Sequence, residues 1–210
     1  MKLSHWKTIL LAYRRVDDLL DAELPPLEAS RERLSPETLE ALARRLRFEV
    51  EGLRAALSGD LRSEEVEQAL QPFTFLADEK ALRRLDDADA PHWPLLQLQL
   101  FGVDSGGDAF FDLADSGLRR QDTPPLLFEM LHFCLTAGFT GRHVGHPARL
   151  RDYRERLSAR IPQPERLAVP EASAPAALAP TVYDFPWRYY AATALIILLL
   201  PVLLWRVSNL

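Results

Sequence analysis

An uncharged run near the C-terminal end limits the possible folds of this chain more than any other feature. It reads YYAATALIILLLPVLLW over residues 189–205, with Arg188 before it and Arg206 after it. As an α-helix, the stretch from Pro186 to Trp205 is about 30 Å long, which matches the hydrocarbon thickness of a bilayer. A buried core helix is the alternative, but such a helix usually keeps a polar side. We therefore predict a transmembrane helix.

The predicted transmembrane helix divides the chain into four parts. Residues 161–186 contain six prolines and many alanines, a composition typical of an extended, semi-rigid linker. Residues 1–160 then form one folded domain, for which a hydrophobic content of 48% supplies enough core. We assign the transmembrane helix to residues 187–206 and a short periplasmic tail to residues 207–210.

Aromatic side chains lie at both ends of the predicted transmembrane helix. Trp and Tyr are enriched where a membrane meets water, because their rings are amphipathic. The candidate membrane-anchor residues are Trp187, Tyr189, Tyr190 and Trp205. We also expect copies of the chain to self-associate through this helix.

The N-terminal sequence and the distribution of charge indicate the compartment and the kind of partner. The first fifteen residues, MKLSHWKTILLAYRR, lack the uninterrupted apolar region of a signal peptide, so we expect the folded domain to stay in the cytoplasm. Residues 1–141 carry 16 basic and 25 acidic side chains, which argues against nucleic-acid binding. Residues 142–160 carry six Arg and two acids. This basic segment either meets anionic lipid or an acidic partner, or is an ordinary solvated helix face.

Hydrophobic residues recur at helical spacing through most of the domain, and no segment alternates as a strand would. The pattern predicts an amphipathic helix over residues 4–21. Ser35 should cap a second helix and Ser63 a third, which Pro72 should kink or split. The remaining predicted helices are a short one over residues 95–101 and one that opens at Ser105 or Asp108 and ends near Gly117.

The segment 123–142, TPPLLFEMLHFCLTAGFTGR, predicts a helix that is apolar on almost every side. Asp122 or Thr123 should cap its start, and Gly138 should supply the left-handed residue of a Schellman-type end. Its polar residues fall on one narrow stripe, formed by Glu129, His132 and Thr136. A helix of this kind lies at the centre of a bundle, where its polar stripe faces another helix or a groove.

Three short segments of the chain carry a family resemblance. They are ADEKAL at residues 77–82, GGDAFF at residues 106–111 and EMLHFCLTAGFTGR at residues 129–142, the clearest of the three, and Trp93 lies upstream of the second. These segments resemble those of the DotU/TssL (ImpK) family of secretion-system inner-membrane proteins, in which a tryptophan also lies upstream of the second. The segments follow one another in the family's order. The resemblance extends over residues 1–160 and includes the C-terminal anchor.

The resemblance implies an all-α fold, a bundle of about seven helices that forms a hook of two sub-bundles, followed by one C-terminal transmembrane helix. It implies a non-catalytic, single-pass structural subunit of the type VI secretion membrane complex in the bacterial inner membrane. The implied partners are an IcmF/TssM-type inner-membrane protein and cytoplasmic baseplate subunits. Two alternatives remain open, a DotU-like stabilising subunit of a type IVB system and a tail-anchored adaptor outside secretion.

A charged triplet in the third helix, Asp78, Glu79 and Lys80, is the candidate partner-binding site. Lys80 falls on the apolar side of that helix, so the triplet must be paired internally or line a groove. An internal salt bridge and a partner-docking cleft are therefore the two alternatives, and the family resemblance favours the cleft. Glu129 and Arg142, from the most similar segment, complete the candidate partner-binding residues.

No residues form a convincing catalytic or metal site in the sequence. Cys134 lies on the apolar side of its helix, with no cation within a turn to lower the pKa of its thiol. His143 and His146 lack a second acid or thiol at the spacing of zinc ligands. We expect no catalytic residue, no metal and no cofactor. The alternative is a membrane-tethered enzyme that uses Cys134 or the histidines.

Overall fold

The structure, a computed structural model, describes residues 3–24 and 34–162. Within these two ranges the chain forms seven α-helices and two single-turn 3-10 helices, and no strand. The α-helices are α1 Leu3–Glu23, α2 Pro36–Ser58, α3 Ser63–Leu82, α4 Leu96–Phe101, α5 Gly106–Arg119, α6 Pro125–Thr136 and α7 Pro147–Ser158. The 3-10 helices are Ala90–His92 and Gly141–His143. The predicted all-α class is confirmed.

The second helix begins as the sequence predicts. The Ser35 hydroxyl accepts a hydrogen bond from the Thr38 backbone N–H at 3.2 Å, and Pro36 is the first helical residue. Its apolar residues form one buried stripe at helical spacing, Leu39, Leu42, Leu46, Val50, Leu53 and Leu57. This stripe packs against α1 and α3, which contact α2.

The third helix lies at the centre of the bundle and runs without a break through Pro72. Pro72 was predicted to kink or split this helix; the split is wrong, and the kink stays a prediction. Proline removes one backbone hydrogen bond, but α3 contacts α1, α2, α4, α5 and α6, and every side chain from Phe73 to Asp78 is buried. Packing on all sides therefore holds the interrupted turn in the helix.

The predicted cap of α3 is also wrong. Ser63 is the first helical residue, and Arg62 stands at the N-cap position. The Glu65 carboxylate reaches back and accepts a hydrogen bond from the Arg62 backbone N–H at 3.2 Å. A glutamate in the first turn thus satisfies the backbone N–H of the N-cap residue, as in a capping box.

The helix α6 starts differently from the prediction and ends as predicted. Neither of the two predicted capping residues binds its first turn, because the Thr123 hydroxyl donates to the Gly117 carbonyl at 3.0 Å instead. At the other end Gly138 has φ +99°, and the Phe139 N–H donates to the Cys134 carbonyl at 2.9 Å. This 6→1 bond identifies a Schellman motif.

The two central helices position the region described below. The helix α6 contacts α3, α5 and α7, and Glu129 accepts a hydrogen bond from the Trp6 indole of α1 at 2.9 Å. The predicted central place of α6 is therefore confirmed. The division into two sub-bundles stays a prediction.

None of the described helices is long and apolar enough to cross a membrane. The predicted transmembrane helix at residues 187–206, with its four aromatic anchor residues, lies outside the described residues, as does the linker from residue 163 onward. The four-part domain organisation stays a prediction.

Candidate partner-binding groove

A groove of about 440 Å³ opens where the C-terminal half of α3 meets the connections that lead into α5 and α7. Three stretches of chain form its walls, each from a different part of the sequence. The lining residues are Phe75, Asp78, Glu79, Leu82, Arg83, Leu95, Gln97, Asp104, Ser105, Gly106, Gly107, Phe139, Thr140, Gly141 and Val144. Two of the five candidate partner-binding residues, Asp78 and Glu79, are therefore among the lining residues.

Asp78 lies at the bottom of the groove and is only 2% exposed. Its carboxylate accepts hydrogen bonds from the Trp93 indole at 2.8 Å and from the backbone N–H groups of Leu96 and Gln97 at 3.0 and 2.8 Å. Burial raises the pKa of this carboxyl group, and the three hydrogen bonds act in the opposite direction. Asp78 thus caps the N-terminus of α4 from a neighbouring helix.

Glu79 holds the turn that follows α6. One carboxylate oxygen accepts from the Thr140 N–H at 2.9 Å and the Thr140 hydroxyl at 3.0 Å, and the other accepts from the Gly141 N–H at 2.9 Å. Arg83, one helical turn later, forms an ion pair with Glu79. Arg83 also donates to the Gly138 carbonyl at 3.0 Å and to the Thr140 hydroxyl at 2.7 Å.

Two glycines bring the groove walls together. Gly141 has φ +47°, and a Cβ atom added there would lie 2.7 Å from the carbonyl oxygen of Gly107. A Cβ atom on Gly106 would lie 2.1 Å from the side-chain oxygen of Gln97. Backbone therefore meets backbone at Gly141, where only glycine leaves room for the contact, whereas Gly106 leaves room for the Gln97 side chain.

Lys80 is turned away from the groove and toward α1. Its ammonium group lies 2.7 Å from the Asp17 carboxylate and donates to the Tyr13 hydroxyl at 2.9 Å. Burial lowers the pKa of Lys80, but its bonds to Asp17 and Tyr13 outweigh this effect and raise the pKa overall. The triplet thus diverges, with each side chain bonded to a different part of the fold.

The last two candidate residues also have internal partners. Glu129 is 6% exposed and bonded to Trp6. Arg142 donates to the Asp112 carboxylate of α5 at 2.8 Å, and its guanidinium lies 5.5 Å from the centre of the Phe111 ring. The five candidates are therefore not one cluster, because Lys80 and Glu129 face α1 while Arg142 bridges to α5.

Comparison with known proteins identifies the family. A family model described as "Type VI secretion system protein DotU" matches residues 18–209. The chain belongs to the DotU family. A comparison with curated proteins gives no match. The family resemblance seen in the sequence is confirmed.

A solved structure has the same fold as this DotU-family chain. It is described as the three-dimensional structure of DotU from Francisella novicida, and it aligns with a TM-score of 0.58. The alignment has 18% sequence identity and covers 76% of this chain and 99% of that chain. At this identity the likeness shows a shared fold.

Several residues of the groove in this DotU-family protein were not found from the sequence. Arg83, Gln97 and Thr140 complete the bonding around Asp78 and Glu79, and Val144 stands at the rim with 69% of its surface exposed. Only Arg83 had a local signal, since Glu79 and Arg83 are four residues apart on one helix. The others come from segments far along the chain, which a periodicity pattern does not connect.

The basic segment 142–160 does not form a single basic face. Arg160 donates to the carbonyls of Leu118 and Arg120, and Arg156 pairs with Asp152 and lies near Asp115. Within the described part of the chain, Arg149, Arg151 and Arg154 form no ion pair. The acidic residues of α7 are exposed between them. Whether lipid or an acidic partner meets this segment stays a prediction.

Cys134 and His143 have structural surroundings. The Cys134 side chain is fully buried, its thiol donates to the Pro72 carbonyl at 3.4 Å, and burial raises its pKa well above the ordinary value. A thiol of this kind is a poor nucleophile. His143 packs edge-on against Phe111 and lies over Tyr153, and burial lowers its pKa.

Proposed function

We propose that this DotU-family protein is a non-catalytic, tail-anchored structural subunit of the type VI secretion membrane complex. Its helical domain lies in the cytoplasm, and residues 187–206 hold it in the bacterial inner membrane. The observation that carries this proposal is the family match over residues 18–209, which takes in both the helical domain and the uncharged run. The family description names the type VI system, which favours it over the type IVB alternative.

The proposed partners differ on the two sides of the molecule. In the membrane the chain pairs with an IcmF/TssM-type protein and with further copies of itself. In the cytoplasm the groove beside α3 docks a baseplate subunit. Support for docking comes from the exposed apolar rim at Val144 and from the exposed acidic side chain of Asp104, which also lines the groove. Such a surface complements a partner segment with apolar and basic side chains.

Reporter fusions test the topology. A reporter fused after Leu210 is expected to show periplasmic activity, and one fused before Met1 is expected to show cytoplasmic activity. The reason is that the chain has one uncharged run long enough to span a membrane. Cytoplasmic activity at both ends would contradict the single-span arrangement.

Pull-down from membranes tests the groove. Val144→Asp places a charge on the exposed rim and should abolish recovery of baseplate subunits, identified by mass spectrometry, while the IcmF/TssM-type protein is retained. Rim positions of this kind tolerate substitution without unfolding, because the side chain is 69% exposed. Phe48→Asp is the matched control, since Phe48 is 74% exposed and lies on α2, outside the groove. Equal recovery of baseplate subunits with both variants would remove the groove from the proposal.

A further inference from the structure

We infer that Glu79 is a positioning residue. Together with Arg83 it fixes the turn 138–144 in the shape that the docked partner contacts. We call Glu79 and Arg83 the latch. This inference rests on the proposed docking function of the groove. It differs from a role in which the partner binds the Glu79 carboxylate itself.

The carboxylate of Glu79 is already committed within the chain. Both of its oxygens accept backbone N–H groups, from Thr140 and Gly141, at 2.9 Å. The Thr140 hydroxyl and the Arg83 guanidinium complete its surroundings. Only 17% of the side chain is exposed. A partner that bound this carboxylate would have to displace charge-assisted hydrogen bonds that the fold already makes.

Arg83 reinforces the same turn from the other side. It binds the Gly138 carbonyl and the Thr140 hydroxyl, so the two latch residues together hold three positions of the turn, Gly138, Thr140 and Gly141. Arg83 is about half exposed, and its charge is largely directed into the turn. The latch therefore joins α3 to a segment about 60 residues further along the chain.

The turn needs this support because glycines leave its backbone free. Gly138 and Gly141 have positive φ, at +99° and +47°, and so does Gly145 directly after the turn, at +78°. Phe139 and His143 anchor the turn inward by packing on aromatic rings. The backbone between these two anchors is held by the latch, and it leads directly to Val144 at the rim. Loss of the latch is therefore expected to alter the position of the rim.

Two variants of opposite charge separate positioning from direct charge recognition. Glu79→Gln removes a negative charge and Arg83→Gln a positive one. If the partner recognised the charge of the groove, the two changes would shift its binding in opposite directions. If the latch positions the turn, both changes weaken binding. Thr140→Val, which removes one hydroxyl and no charge, should act in the same direction with a smaller effect.

Hydrogen–deuterium exchange on the full chain in mild detergent measures the latch directly. In Glu79→Gln the amides of Thr140 and Gly141 lose their charged acceptor, and in Arg83→Gln that acceptor loses its ion-pair partner. In both variants these two amides should therefore exchange about tenfold faster or more. Amides in the middle of α3 and α6 should keep their rates. The matched controls are Glu64→Gln and Arg44→Gln. Glu64 is exposed on the same helix as Glu79, and Arg44 is exposed on α2, where it forms a surface ion pair with Glu40.

Recovery of baseplate subunits from membranes supplies the functional measurement. Both latch variants should lower recovery about tenfold, in line with the exchange rates, and the two controls should not. Faster exchange at Thr140 and Gly141 with unchanged recovery of baseplate subunits would overturn the inference and leave the docking proposal standing. Opposite effects of the two latch variants on recovery would do the same. Wild-type chain that recovers no baseplate subunit would overturn the docking proposal and the inference together. If a latch variant unfolds, exchange rises throughout α3 and α6. The recovery of baseplate subunits with Thr140→Val then tests the inference, which expects a smaller loss in the same direction.

Discussion

At the scale of single residues, three charged neighbours on one helix have three separate structural roles. Asp78 caps α4, Glu79 holds the turn after α6, and Lys80 pairs with α1. Successive residues on a helix point about 100° apart, so adjacent positions face different neighbours. Reversing the charges of Asp78 and Glu79 together would therefore disrupt the fold as well as any docking surface.

Asp78→Ala should lower the free energy of unfolding by about 3 kcal/mol, because it leaves three buried donors without an acceptor. The measurement is denaturant unfolding of the full chain in mild detergent, followed by circular dichroism. Asp18→Ala serves as the control, since Asp18 is exposed on α1 and should change the free energy by less than about 0.5 kcal/mol. Equal effects of the two substitutions would contradict the role assigned to Asp78.

At the scale of elements, the connection from α6 to α7 depends on glycines and not on regular structure. Its one 3-10 turn, Gly141–His143, begins at a residue whose backbone touches that of Gly107 in α5. The backbone of this connection therefore packs directly against the backbone of α5, although the connection is a loop. This explains how a loop can form a wall of defined shape.

Two glycine substitutions of identical chemistry should have opposite effects. Gly141→Ala adds a methyl group at positive φ and against the Gly107 carbonyl, and should destabilise the fold by about 2 kcal/mol. Gly52→Ala adds the same group inside α2, where nothing lies within 4 Å, and should stabilise by about 0.5–1 kcal/mol. Thermal unfolding of both variants is the measurement. A stable Gly141→Ala variant would show that the contact with Gly107 is not required.

At the scale of the whole molecule, the described helices share one hydrophobic core. Its residues come from all seven α-helices, with α3 and α6 in the middle. Leu157 of α7 is fully buried, so the core reaches the last described helix.

A fragment of residues 1–162 should therefore fold without the rest of the chain. We expect it to be soluble and mostly helical, with one cooperative thermal transition, because domains of this size bury a sufficient core. Circular dichroism and size-exclusion chromatography are the measurements. An aggregated fragment, or one without a cooperative transition, would place the domain boundary elsewhere. A fragment that ends at residue 146 is the control and should fail to fold, since it lacks α7 and the buried Leu157.

The sequence by itself determined the features that depend on neighbouring residues. The helical class follows from apolar residues at helical spacing, and the end of α6 follows from Gly138 and Phe139. The start of α2 follows from Ser35 and Pro36. The family was recognisable from three short segments. Each of these signals lies within a few turns of chain, where local geometry is sufficient to decide the outcome.

Only the tertiary structure decided which way the charged residues face and where a helix continues through a proline. Pro72 stays inside α3 because surrounding helices pack on every side of it. The acceptor for the first turn of α4 is Asp78, from another helix, and the turn after α6 is held by Glu79 from about 60 residues away. Such bonds depend on distances in space, which spacing along the chain does not specify. Buried polar groups must find a partner, and the fold as a whole determines which one.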